Sequence, residues 1–308
     1  MKTIVVTAGQ EYTDIDALAC AIAYAELLNL EGKKAESILP GALNHSVTNA
    51  VKQWGLNFKV EPADSDFVSV LVDTSHLENF ASFVKEDSIF EIYDHHYGAI
   101  EYWNEKLKEH SHIEMVGACA TLIWEEYKKR GLYEEINTIT ANLLLTAIIS
   151  NTLNFGAQIT HDRDIVAFNE LKKYSSLPDY WIDSYFTDQE ISVYQDIENS
   201  IKGDTKIVKV PTFEFPIVIP QMELWDSKKC LLDNKETIKE TIEGFNNPYW
   251  VVTLPSISEK INYLYSENQE LKNIFSNCLE AEWDGDIGVT KKLWLRKEIR
   301  KKLYEYKD

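Results

Sequence analysis

Six residues of the 308-residue chain combine types and spacing that could hold a metal ion. Asp14 and Asp16 lie in GQEYTDIDALA, just after the apolar run Thr3–Ala8. Asp73 closes VLVD, and Asp94, His95 and His96 close IYDHH. Mixed carboxylate and imidazole ligands suit manganese, iron, cobalt or zinc, whereas magnesium and calcium prefer all-oxygen shells. A dinuclear site needs one carboxylate that bridges both ions and others that hold each separately; Asp73, in the middle of the series, is the natural bridge. Taken singly, an Asp between a strand and a helix reads equally well as a helix N-cap. Asp-His-His after an apolar strand is harder to explain as packing, because burying three such groups without a partner is costly.

The elements that must position these residues follow from the hydrophobic pattern. Short β-branched runs at Thr3–Ala8, Lys34–Leu39, Phe67–Val72 and Ser88–Tyr93 predict strands, and Asp16–Leu28 and Asn44–Trp54 carry apolar residues at helical spacing. This is the βαβ rhythm of a parallel sheet covered on both faces. In such a sheet ligands bind outside the carboxyl ends of the strands, where all six residues fall. Helices are predicted at Ala118–Arg130, Asn137–Ile149 and Asp162–Leu171, then an acidic linker around Trp181–Ile201. Strands near Lys206–Val210, Phe215–Pro220 and Tyr249–Leu254, with helices at Lys235–Gly244 and Tyr263–Cys278, complete a smaller module. The predicted fold class is α/β: an N-terminal parallel sheet flanked by helices, plus a smaller C-terminal α/β domain. The length favours two domains, with residues 1–187 as the first and 188–308 as the second.

Composition narrows the partners. A formal charge of −19 and a pI near 4.8 argue against membrane-surface and broad nucleic-acid binding, because the long-range field repels polyanions. Cys20, Cys119, Cys230 and Cys278 are scattered without a CxxC pair and read as reduced residues. No apolar run is long enough to span a bilayer, and the opening MKTIVVTAG is too quickly polar for a signal peptide. A cytoplasmic location is the expectation. Any phosphorylated ligand must meet local positive charge, and Lys291–Lys302 supplies seven Lys or Arg residues in an otherwise acidic chain. Arg in particular holds phosphate in a bidentate fork.

Asp14–Ala17 (a DxDA-type segment), Asp73 and the Asp94-His95-His96 triplet resemble the successive motifs of the DHH phosphoesterases. VGACATLIWEEY and AIISNTLNF, Ala147–Phe155, resemble later segments of the same family. GVTKKLWLRKEIRKKL resembles the second type of DHH-associated domain, found in manganese-dependent inorganic pyrophosphatases and exopolyphosphatases, in which an Arg-Lys pair grips substrate phosphates. The resemblance implies that Asp14, Asp16, Asp73 and His95 ligate metal, one or two ions with manganese favoured. It also implies that His96 faces the substrate phosphate and that Asp73, Asp94 and His96 serve catalysis. Arg296 and Lys297 are the best-matched phosphate pair, with Lys291 and Lys292 as a second choice. Two further family ligands are replaced, by Gln10 and Asn151. Each offers only a neutral carbonyl oxygen, a weaker ligand than imidazole or carboxylate.

Three functions stay open on this reading. The first is metal-dependent hydrolysis of a phosphoanhydride or phosphoester, pyrophosphate or short polyphosphate ahead of others, impaired by Gln10 and Asn151. The second is a catalytically lapsed relative that binds a phosphorylated ligand or a protein. The third is a phosphodiesterase acting on a small nucleotide. Among other histidines, His110 and His112 read as loop residues, His76 as either lining the site or capping a helix, and His161 as part of a helix N-terminus.

Overall fold

The first β-branched runs form a parallel sheet in chain order: β1 (Thr3–Thr7), β3 (Ala35–Ile38), β5 (Phe67–Val72), β6 (Ile89–Asp94) and β7 (Ser111–Ile113). The intervening two-residue strands β2 (Tyr12–Thr13) and β4 (Ala42–Leu43) pair with each other beside it. A computed structural model describes residues 2–96, 98–210 and 213–306, apart from the side chain of Ser192. The sheet order is β3-β1-β5-β6-β7, all parallel. The chain runs outward from β1 to β3 and then returns to the other side at β5, so β1 and β5 flank the switch point where α/β proteins open a crevice.

Helix α1 (Ile15–Leu30) is apolar on nearly every side, and all but a few of its residues are buried. That pattern is explained by its neighbours, since α1 packs on the sheet and on α4 (Cys119–Lys129) and α5 (Thr138–Asn151). The short α2 (Asn49–Lys52) and the α3 helix (Ile100–Leu107) lie between strands, and α6 (Asp162–Leu171) follows α5. The helix predicted over Asn44–Trp54 is reduced to the single turn of α2. Residues 44 to 48 are instead held as a loop, by Asn44 N–H to Thr13 O at 2.9 Å and by Ser46 Oγ accepting from Ile15 N at 2.9 Å. The loop reading of His112 is also corrected. It lies on β7, a strand too short for its pattern to register, opposite Tyr93 and stacked on that ring at 4.5 Å between centroids.

Asp164 contributes more than the end of a helix. It closes a capping box with His161 at the start of α6, and its buried carboxylate accepts from Gly117 N at 2.8 Å and Thr121 Oγ at 2.6 Å. A Cβ at Gly117 would sit 2.6 Å from both Asp164 Oδ2 and Thr152 Cγ2. Gly117→Ala is therefore expected to destabilise by about 1–3 kcal/mol, read as a lower thermal midpoint. An unchanged midpoint would show that this segment has room to shift.

The chain divides into two units, Met1–Phe155 with Ile159–Ile182, and Asp183–Asp308 with Gly156–Gln158. The region predicted as a linker is helical: α7 (Trp181–Gln195) and α8 (Ile197–Gly203) occupy it, and Ile197 and Ile201 join the core of the second unit. Acidic composition marked solvent exposure on these helices, not an absence of structure.

In the second unit, β8 (Thr205–Val208) pairs antiparallel with β9 (Ile217–Pro220), and β9 is bridged in parallel to β10 (Val252–Ser256) and the residues before it. Strands β11 (Ile261–Tyr265), β12 (Glu282–Asp284) and β13 (Ile287–Val289) complete the antiparallel order β10-β11-β13-β12. Helices α9 (Ser227–Glu243), α10 (Gln269–Leu279) and α11 (Arg296–Glu305) cover this unit. The helix expected over Tyr263–Cys278 is thus split, its first residues belonging to β11. Ile299 and Leu303 of α11 are buried in a core with Leu264, Phe275 and Trp294, which leaves the basic residues of that helix on its outer side.

Candidate metal centre

All four candidate carboxylates and both imidazoles lie at the carboxyl ends of β1, β5 and β6 in the first unit. Asp14 is the N-cap of α1, its Oδ1 accepting from Ala17 N at 2.9 Å. Capping therefore does not compete with a second role, because it occupies one oxygen. Asp16 is fully buried and accepts from the first amides of α4, Cys119 N at 2.8 Å and Ala120 N at 2.9 Å. A helix N-terminus is a favourable place for a buried anion. Even so, burial raises the Asp16 pKa, with the Asp14 charge adding to the rise and His95 and the two amides opposing it.

Asp73 ends β5 with φ at +55°, a left-handed conformation that costs most residues about 1–2 kcal/mol and that Asp tolerates better than most. Its N–H donates to Tyr93 O at 2.8 Å. The side chain is 5% exposed, and among the described residues Oδ1 is buried and accepts no hydrogen bond. Burial, then the charges of Asp16 and Asp14, push its pKa well above the ordinary carboxylate value. Three carboxylates thus repel one another around an oxygen that has no donor.

His95 faces the same point. Its Nδ1 lies 3.1 Å from Val116 O. A carbonyl cannot donate, so Nδ1 carries the proton, and in the neutral ring Nε2 presents a lone pair. That nitrogen is 3.3 Å from Asp73 Oδ1 and 3.8 Å from Asp16 Oδ2. Two carboxylates and the free ring nitrogen of His95 converge on one point, an arrangement that suits a bound cation. Asp73, His95 and His96 offer ligand atoms within 4.8 Å of one another, which suits one equally. The residues present fit a bound divalent ion.

Asp94 holds both histidines of the pair. The partner that fixes the His95 tautomer is the Val116 carbonyl, whereas Asp94 Oδ1 accepts from His95 N at 2.8 Å and from His96 N and Nδ1 at 3.2 and 2.8 Å. Burial alone would raise the Asp94 pKa, but its bonds and charge interaction with His96 hold it below the ordinary value. The hydrogen bond to Asp94 raises the pKa of His96, the more exposed of the pair at 55%.

Gln10 is exposed just after β1, its N–H donating to Asn79 O at 2.9 Å, and the Asn151 amide at the end of α5 donates to Ala147 O at 3.4 Å. His76 precedes a short 3-10 turn without capping it, its ring set against the Cα of Gly98.

In the second unit Arg296, Lys297, Arg300, Lys206 and Lys209 line a cavity of about 880 Å³ together with Gln221 and Glu223. Arg296 donates from Nη1 to Asp204 O at 2.7 Å and pairs with the Asp204 carboxylate through Nη2, which leaves further donors of its fork. Lys291 pairs with Glu280, and Lys292 lies over the Trp294 ring, so neither is among the lining residues. Lys206, Lys209 and Arg300 escaped notice as site residues in the sequence. Lys206 lies on β8 and Lys209 follows it, and only the fold brings them beside α11.

A parallel sheet that gathers carboxylates and imidazoles from three strand ends around one point defines a metal-centre α/β domain. Residues 3–148 match the model of the DHH family, N-terminal domain. The chain is 28% identical over 265 residues to a probable manganese-dependent inorganic pyrophosphatase of Exiguobacterium sp., covering 83% of each. It is 26% identical over 257 residues to the manganese-dependent inorganic pyrophosphatase of Bacillus subtilis, covering 82% of each. The crystal structure of a putative family II inorganic pyrophosphatase from Methanococcus jannaschii shares the fold, with a TM-score of 0.63 at 21% identity, over 98% of this chain and all of that one. No helix among the described residues is long and apolar enough to cross a membrane.

Proposed function

We propose that the protein hydrolyses a small phosphoanhydride, pyrophosphate or a short polyphosphate, with a divalent cation, manganese, held in the first unit. The observation that carries this reading is the Asp73 oxygen without a donor facing the His95 lone pair at 3.3 Å. The mixed oxygen and nitrogen set favours manganese over magnesium, and the relatives named above are manganese-dependent by name.

Such an ion supplies Lewis-acid charge to the phosphoryl oxygens and acidifies water at neutral pH. In this reading Asp14, Asp16, Asp73 and His95 would hold the cation. His96, kept protonated to higher pH by Asp94, donates from Nε2 to a substrate oxygen. Asp94 holds that ring in place. Within the second unit, Arg296 and Lys297 with Lys206, Lys209 and Arg300 give a cavity the positive charge that suits a phosphate. Lys291 and Lys292 have no part in substrate binding. The domains are divided near residue 182, and the scattered free cysteines fit a reducing cytoplasm.

Two measurements test the reading. Manganese is expected to raise the thermal midpoint, with about 2.7 kcal/mol of stabilisation when the ion is present at a hundred times its Kd, and a chelator should reverse the gain. Phosphate release should be greater from pyrophosphate or tripolyphosphate than from dinucleotides. Binding of manganese without release of phosphate from any of them would instead support a lapsed enzyme that retains its site.

A further inference from the structure

The cavity of about 880 Å³ in the second unit carries more than a bare phosphate uses. Arg296, Arg300 and Tyr304 recur every fourth residue along one face of α11, a row that covers about 12 Å at about 1.5 Å per residue. Lys206 and Ile207 of β8 line the same cavity, with Lys209 just after them. Among the described residues Lys206, Lys209, Lys297 and Arg300 enter no ion pair, whereas Arg296 is paired with Asp204. In a chain with 50 Asp and Glu against 31 Lys and Arg, cations gathered without partners suit an anionic ligand.

Three other lining residues have no use for a chain of phosphates alone. Ile207 is 59% exposed and Tyr304 46%, and apolar surface left in water gains from an aromatic group laid against it. The Tyr304 ring is fixed in place, its hydroxyl donating to Lys209 O at 2.9 Å and the Arg300 guanidinium lying 5.9 Å from its centroid. Glu223 sets a carboxylate among the cations. Gln221 anchors it, donating from Nε2 to Glu223 Oε1 at 2.9 Å while its own Oε1 accepts from Arg296 N at 2.6 Å. A carboxylate repels phosphate, but it accepts a hydrogen bond from a sugar hydroxyl. We infer that this cavity binds a nucleoside triphosphate, with its phosphates against Arg296, Lys297 and the two lysines, a ribose hydroxyl on Glu223, and the base stacked on Tyr304 beside Ile207. The inference rests on the reading of this cavity as a phosphate site and adds the organic part of the ligand to it.

The test is calorimetric titration of the 308-residue protein, without added metal and at one salt concentration, with ATP and separately with tripolyphosphate. ATP is expected to bind about tenfold or more tighter than tripolyphosphate, because only ATP has a base to stack. Tyr304→Ala should weaken ATP binding roughly 10- to 100-fold and leave tripolyphosphate binding unchanged. Tyr304→Phe, which keeps the ring and loses the hydroxyl, should stay close to the parent. Tripolyphosphate binding as tightly as ATP to the parent would overturn the inference while leaving the phosphate site standing, and so would equal losses of both ligands in Tyr304→Ala. A parent protein that binds neither would overturn the phosphate reading of the cavity as well, whereas manganese binding in the first unit is measured independently of either result.

Discussion

Asp73→Asn is expected to reduce manganese-dependent hydrolysis by roughly 10³-fold, or about 4 kcal/mol of barrier, and at the same time to make the metal-free protein more stable. Both effects have one source. Asp73 is buried beside Asp14, Asp16 and Asp94, and its pKa is raised by that burial and by the charges of Asp16 and Asp14. A cation relieves this repulsion, and without one the folded state bears the cost. The amide keeps the shape and removes the charge. A gain of a few degrees follows, at about 2–4 °C per kcal/mol for a domain of this size.

The pH dependence has a definite sign. Because the folded pKa lies above the unfolded one, the contribution of Asp73 is fully present below the ordinary carboxylate value of 3.8 and is lost as pH rises through the folded value. Asp16 is shifted in the same direction. Calorimetric midpoints in chelator should therefore separate further between parent and Asp73→Asn as pH is raised from about 4 to about 7. A variant that is less stable than the parent at neutral pH without metal would sink this account of the site.

Restoring two ligands together, Gln10→His with Asn151→Asp, should strengthen manganese binding and phosphate release by on the order of tenfold or more. A neutral amide oxygen is replaced by an imidazole at one position and by a carboxylate at the other. A new carboxylate that reaches the ion should lower the metal-free midpoint by repulsion from the other acids, while manganese more than recovers it. Gln10 is exposed after β1, and Asn151 is turned onto its own helix at Ala147. A folded double variant with parental affinity would show that these two positions do not reach the ion.

Much of the site was legible before any coordinates. Asp14, Asp16, Asp73, Asp94, His95 and His96 follow runs of β-branched residues, and those runs became β1, β5 and β6 with little change of boundary. The weaker readings failed where pattern and structure diverge for a physical reason. Residues 44–54 have helical spacing, but side-chain and backbone bonds to residues 13 and 15 hold the first part as a loop. Around Trp181–Ile201 the acids suggested a linker, whereas the buried Ile197 and Ile201 tie that stretch into a core. Strand β7 has three residues, too few for alternation to be read.

By itself the sequence determined the strands, their order along the chain and hence the edge on which the acids gather, since right-handed crossovers bring the carboxyl ends of parallel strands to one side. What only the tertiary structure decided are contacts between residues distant in sequence. The Val116 carbonyl sets the His95 tautomer from 21 residues away, and amides at the start of α4 hold Asp16 from 103 residues away. Backbone groups carry no residue-type signature, so such partners become visible only when packing has placed them.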